Sequence, residues 1–158
     1  AEALPVLEAT LALQRRYWRY WVARYDRSTI FIIQGNIASC LDDLGRRVEA
    51  LRLKRSVYTG HVSTLGVSHE ITIGYGLNLA ISLGRAGLRD EAMEFLRDQL
   101  LPPAEHSLGA DHDVTLLLYH SLAAILADNP DRARDDLLEA ETVMQVVVQR
   151  RRRVFGPA

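Results

Sequence analysis

Cysteine and lysine are almost missing from this 158-residue chain, each present once, as Cys40 and Lys54. A single thiol cannot close an internal disulfide. That fits a reducing, intracellular compartment, the cytoplasm first and an organelle second. Cys40 stands beside Leu41 on the apolar side of a helical pattern, where a buried small hydrophobe is expected rather than a reactive thiol. The formal net charge is only −1, so there is no general attraction for nucleic acid. No uncharged apolar run of about 18 residues exists, so no membrane span is expected, though peripheral contact with a membrane complex stays open. The remaining composition, 48% apolar and 25% charged, is that of a folded domain.

Signals of catalysis are equally scarce. No nucleophile stands at a readable spacing from a base, and there is no phosphate loop. Gly74-Tyr75-Gly76 begins like a dinucleotide fingerprint, but Leu79 occupies the place of the third Gly and no strand precedes it. Asp111, His112 and Asp113 are adjacent and lack the second spaced pair that a metal site needs. Of the five histidines, His61, His69, His106, His112 and His120, two fall at equivalent turn positions of a repeat. No enzyme, cofactor or metal is therefore expected.

What is present is self-similarity at a fixed period of about 42 residues, a size that marks a stacked helical repeat. Asn36-Ile37-Ala38, Asn78-Leu79-Ala80 and Ser121-Leu122-Ala123 correspond. At the same distance after each Ala come Gly45, Gly87 or, with a local change, Pro130. Glu49-Ala50 then matches Glu91-Ala92, and Ala133 matches if the third turn has lost two residues. The copies close at Leu65-Gly66, Leu108-Gly109 and Phe155-Gly156. His69 and His112 open the next copies, with Thr29, Thr72 and Thr115 in the first turns. Each hairpin leaves an apolar stripe that its neighbour covers, and Ala38, Ala80 and Ala123 let paired helices approach.

This pattern resembles the tetratricopeptide repeat in the 42-residue form of kinesin light chains, in which units run His-Pro-x-Thr, L-N-N-L-A, a Gly turn, E-A-x-x-L and a closing L-G. Here only the second Asn of the pair is kept, and Glu70 or Asp113 replaces the Pro. The resemblance implies an all-α, right-handed superhelix of antiparallel hairpins without a sheet, acting as a non-catalytic protein-interaction scaffold. It covers residues 28–158 and, in part, 1–12. Both ends read as cut, so a piece of a longer array is expected.

The expected organisation is a degenerate second helix with an aromatic extension over 1–25, then repeats at 26–68, 69–111 and 112–158. Within them helices are expected at 29–44, 46–60, 70–86, 89–101, 113–128 and 131–154, with 61–68 as a link. Pro102-Pro103 should stop the fourth helix, because neither ring donates a helical hydrogen bond. The last helix should turn Leu137, Leu138, Val143, Met144, Val147 and Val148 inward.

Three surfaces are candidates for partners. In the family resembled, stacked first helices line a concave face that holds an extended peptide, and the Asn of L-N-N-L-A contacts its backbone. That implies Asn36 and Asn78, with Ser121 a shortened substitute. Helical spacing adds Ile32, Gly35, Ser39 and Asp43, then Gly74, Leu77, Ile81 and Arg85, then Leu117, His120 and Ala124. Arg85 is the one basic residue of that lining, so the family's acidic cargo preference is not carried over, and an apolar or amphipathic partner segment is expected. The alternative is that these residues simply pack on adjacent helices. Second, Tyr17, Trp18, Tyr20, Trp21 and Tyr25, interleaved with Arg, cannot all face one neighbour. They either form an interface or pack on the next hairpin. Third, Arg150, Arg151, Arg152 and Arg153 end a helix, where the dipole favours them, the alternative being that they bind phosphate, RNA or an acidic partner. The alternative role is a structural linker locked into a large assembly through the aromatic and Arg-rich helices.

Overall fold

The computed structural model describes residues 27–128 and 134–156, together with Pro5, Ala9, Ala12, Leu13, Arg16, Tyr17 and Tyr20, each helical, in the leading stretch. Trp18, Trp21, Tyr25, Pro130 and Ala133 lie outside the described residues. The described residues contain no strand and six helices. These are α1 (Arg27–Asp43), α2 (Arg47–Leu65), α3 (Glu70–Arg85), α4 (89–107), α5 (Asp113–Ala127) and α6 (Arg134–Phe155). Residues 1–63 and 64–158 form two compact units.

In the first unit α1 and α2 form a hairpin. Gly45, at φ +74°, closes α1 in the left-handed conformation that glycine adopts without strain. Its N–H bonds Asp42 O at 2.9 Å and that of Arg46 bonds Leu41 O at 2.8 Å. Leu41 and Ala50 are buried between the helices with Ile37, Leu44 and Leu53 against them, and Ala38 is fully covered. The chain's one lysine pairs with Asp42 inside this hairpin, with side-chain exposures of 12% and 11%. A cation held this deep needs its carboxylate to offset desolvation. α2 does not stop near Gly60. That glycine is an interior helix residue, and a Cβ on it would lie 2.3 Å from the Phe31 ring. His61, expected in a link, is buried and stacks at a tilt on Phe31, ring centroids 5.1 Å apart. α2 runs on to Leu65, and Gly66 at φ +85° follows it.

In the second unit α5 packs on α3 and α4, and α6 packs on α5. The first helices are capped alike. His69 Nδ1 accepts the Ile71 N–H at 3.2 Å, and His112 Nδ1 accepts the Val114 N–H at 3.3 Å. Each imidazole thus satisfies one of the donors a helix start leaves open. Thr72 and Thr115 are fully buried at equivalent places, and their hydroxyls find no partner among the described residues. Ile73, Leu83, Leu96, Leu116 and Leu118 form the centre of the core.

The Pro pair does not end α4. The helix is α-helical over Arg89–Glu94, π-helical over Phe95–Leu100 and α-helical again over Leu101–Ser107. Leu101 N–H reaches back to Leu96 O, one residue further than in an α-helix. The widened turn makes Pro102 and Pro103 first-turn residues of a fresh α segment, where a missing N–H costs least. It also explains a change of period. The stretch from Ala92 to Gly109 is one residue longer than the matching stretches from Ala50 to Gly66 and from Ala140 to Gly156. The extra residue of the second copy falls where the π turn is, as a one-residue bulge requires.

The same comparison corrects the third repeat. Ala140, preceded by Glu139 as Ala50 is by Glu49 and Ala92 by Glu91, is buried at the equivalent place. The interval from Ala123 to Ala140 is longer by five than that from Ala80 to Ala92, so the third turn has grown and has not lost residues. α6 buries Ala140 and Val147, while Leu137, Leu138, Met144 and Val148 are exposed, contrary to the inward face expected of them. The expected set followed hydrophobicity alone, and only part of α6 has a neighbour to cover it.

Candidate partner-binding groove

Along α1, Ile32, Asn36, Ser39 and Asp43 recur at steps of four, three and four and are all exposed, so they share one open line. Gly35 lies half-buried beside it, and Ser39 Oγ donates to Gly35 O at 3.2 Å. On α3 the open line is Gly74, Asn78, Ile81 and Arg85, with Asn78 and Arg85 exposed. Leu77 is only 9% exposed and belongs to the core. Its place just before Asn78 rotates it inward. On α5, Leu117, His120 and Ala124 are exposed, while Ser121 is 9% exposed. Ser121 therefore cannot replace Asn78 as a projecting amide. Nothing lies within 4 Å of a Cβ on Gly74, so that glycine does not serve a close approach.

Ile81, Arg85, His120, Ser121 and Ala124 converge on one cleft of about 350 Å³ between α3 and α5, with Gly84, Arg89, Ile125 and Asp128. Neither Asn78 nor Leu117 is part of it. Its floor is apolar, made by Ile81, Gly84, Ala124 and Ile125. Gly84 sets the depth, since a Cβ there would lie 3.1 Å from Ile125 Cγ1. The sequence signal for this is a glycine inside an apolar helical run, Ser82-Leu83-Gly84. Arg89 and Asp128 pair at 3.3 Å at the edge. Arg85 and His120 make no hydrogen bond or ion pair among the described residues, so both can meet a ligand.

The four C-terminal arginines have different surroundings. Arg150 is half-buried: its guanidinium donates to Ala110 O at 3.0 Å, lies 3.5 Å from Glu105 Oε1 and sits 5.1 Å from the centre of the Tyr119 ring. Tyr119 donates to Glu105 at 2.7 Å. Burial, and then the Glu105 carboxylate, raise the Tyr119 pKa above its usual 10.0. Arg153 reaches Asp111 at 3.6 Å, and Arg151 and Arg152 are exposed. The Asp111-His112-Asp113 turn is thus engaged in ion pairing and capping. No group of three or more His, Cys, Asp or Glu side chains among the described residues could hold a metal ion. In the leading stretch Tyr17 and Tyr20 are exposed, and the Arg16 guanidinium lies 5.9 Å from the Tyr17 ring centre. Cys40 is half-buried rather than fully enclosed. No described helix is long and apolar enough to cross a membrane.

No family model and no curated protein sequence matches the chain. Solved structures do. Two crystal structures of nearly identical TPR-like repeats from a Podosopora anserina protein assigned as a kinesin light chain, one of them a single-substitution variant, superpose with a TM-score of 0.73 at 22% identity. They cover 97% and 99% of this chain, and 67% and 69% of their own. The fold is the tetratricopeptide-type helical repeat. The left-handed glycines at 45, 66, 87, 109 and 156 are the turn and closing positions of that tetratricopeptide register.

Proposed function

We propose that this tetratricopeptide-type chain is a non-catalytic scaffold that binds a segment of a partner protein on the open faces of its first helices, with the α3/α5 cleft as the anchoring point. The observation that carries this reading is the cleft itself: an apolar floor under two rim groups, Arg85 and His120, that have no partner of their own among the described residues. A seated apolar side chain would bury Ile81 and Ala124 further and gain about 25 cal/mol per Å² covered. The exposed amide of Asn78, on the same open line of α3 as Ile81, offers a donor and an acceptor to a passing main chain. The single thiol supports a reducing, intracellular setting.

Selection of displayed peptides on the purified chain tests this. Selected peptides should bind the wild type, lose at least about tenfold in affinity to Ile81→Glu and weaken with Asn78→Ala. Peptides indifferent to Ile81→Glu would overturn it. The structural-linker reading draws support from the exposed Leu13, Tyr17 and Tyr20 and would gain if Trp18→Ala/Trp21→Ala alone abolished association. Of its Arg-rich half, Arg150 is held within the fold, while Arg151 and Arg152 stay exposed.

A further inference from the structure

Three glycines lie within α3, and the fold explains two of them. Gly76 is on the buried side of the helix, and Gly84 leaves the room that Ile125 fills. Gly74 has neither reason. Its φ is not positive, so no turn requires it, and nothing among the described residues comes within 4 Å of a Cβ built there. Glycine weakens a helix interior more than any residue but proline. In α3 this weak residue holds a half-buried place on the open line, one turn before Asn78.

The other first helices show what is missing. At the equivalent place, one turn before Asn36 and Ser121, α1 carries Ile32 and α5 carries Leu117, exposed by 50% and 41%. An apolar side chain stands out at this level of the repeat, and on α3 it is cut back to a hydrogen. The gap does not belong to an end of the stack, since α3 follows one helical hairpin in the chain and α5 packs on it.

Beside the gap are polar atoms suited to a peptide group. Asn78 is exposed, makes no hydrogen bond among the described residues and offers both a donor and an acceptor. Further along the same line, Ile81 and Arg85 border the apolar cleft. From Gly74 to Ile81 the helix rises about 10 Å, the reach of about three residues of extended chain. A helix laid on this line would meet it with side chains, because its own N–H and C=O groups are already paired, and would gain nothing from a missing Cβ beside a free amide. An extended segment brings its main chain to the surface.

We propose that Gly74 is the point where a partner segment, in extended form, lays its main chain on α3. The Asn78 amide bonds the peptide group there, and a side chain about three residues away seats in the cleft beside Ile81. This rests on the cleft being the anchoring point and adds a second contact, the form of the segment and its spacing.

The probe is a fluorescent copy of the tightest peptide selected on the wild-type chain, titrated by anisotropy. Gly74→Ala adds a methyl group to open space, so it should raise the melting temperature by about 2–4 °C and at the same time weaken the peptide about fivefold. Gly74→Leu, which restores the side chain found at the equivalent place of α5, should weaken it at least about tenfold without lowering the melting temperature. Replacing peptide residues other than the anchor by alanine, one at a time, should leave the Gly74→Ala loss in place. A replacement that abolished the loss would mean that a side chain sits at Gly74 and would overturn the proposal. Peptides that need Ile81 and ignore both Gly74 variants would overturn it and leave the cleft standing, whereas peptides that ignore Ile81→Glu would overturn both. Affinity and melting temperature falling together would make Gly74 a packing residue and overturn it as well. So would a helical signal gained by the bound peptide in circular dichroism, or a dimer of the free chain that Gly74→Leu disperses, since the occupant would then be a helix or a second copy.

Discussion

Hairpins α3/α4 and α5/α6 have the same plan and opposite fates. In the first, Leu96 and Ala104 are sealed under α5. In the second, Met144 and Arg151 stand at the same places and face outward. The difference shows that a position in a repeat has no burial of its own, because burial is conferred by the next element in the stack. Hairpin α1/α2 adds a third version, with the ion-paired Lys54 where α4 has Leu96 and the buried His61 where it has Ala104.

The sharpest way to break the comparison is truncation. Leu96→Ala should cost about 2–5 kcal/mol in urea unfolding, as a filled core site does, whereas Met144→Ala should cost less than about 1 kcal/mol. Equal losses would mean that the outward face of α6 is already covered in solution. Next in size, Lys54→Leu leaves Asp42 buried without its cation and should cost about 3 kcal/mol despite matching the residue natural to α4, while Lys54→Leu/Asp42→Leu should recover most of that. Overpacking comes third: Ala80→Leu should lower stability by about 1–3 kcal/mol, and Ala127→Leu should stay within about 0.5 kcal/mol of wild type. An unchanged melting temperature for Ala80→Leu would show that α3 does not depend on a close approach to its neighbours. Caps are smaller. His69→Ala and His112→Ala should each cost about 1 kcal/mol at neutral pH in urea unfolding, since each removes an acceptor for a first-turn amide.

The smallest effect concerns Tyr119. Its raised pKa means that the stability it contributes is complete below the unfolded value of 10.0 and is lost as pH rises through the folded one. Melting curves of Tyr119→Phe and wild type should therefore converge at strongly alkaline pH. A gap that stays constant with pH would show that the Glu105 contact does not depend on the phenol proton.

Much of the fold was legible because its signals are local. His69 and His112 cap helices by bonding an amide in the turn that follows them, and Gly45, Gly66, Gly87, Gly109 and Gly156 adopt a conformation that depends on their own backbone. The open lines Ile32-Asn36-Ser39-Asp43 and Asn78-Ile81-Arg85 followed from helical spacing. Leu77 and Ser121 did not, since one step of about 100° along a helix separates facing solvent from facing a neighbour. Pro102-Pro103 misled because the remedy for two prolines, a wider turn just before them, leaves no mark in composition beyond one extra residue between Ala92 and Gly109.

By itself, then, the sequence determined the repeat, its period, its turns and the faces its first helices present, since all of these are set by neighbours within one or two turns. Tertiary structure alone decided that Gly60 and Gly84 make room for Phe31 and Ile125, that Arg150 is tied to Ala110 and Glu105 while Arg151 and Arg152 are not, and that the α3/α5 cleft takes shape. Those outcomes depend on which side chains meet across helices that lie far apart in the chain, and no periodicity within one segment encodes the shape of the surface that will be laid against it.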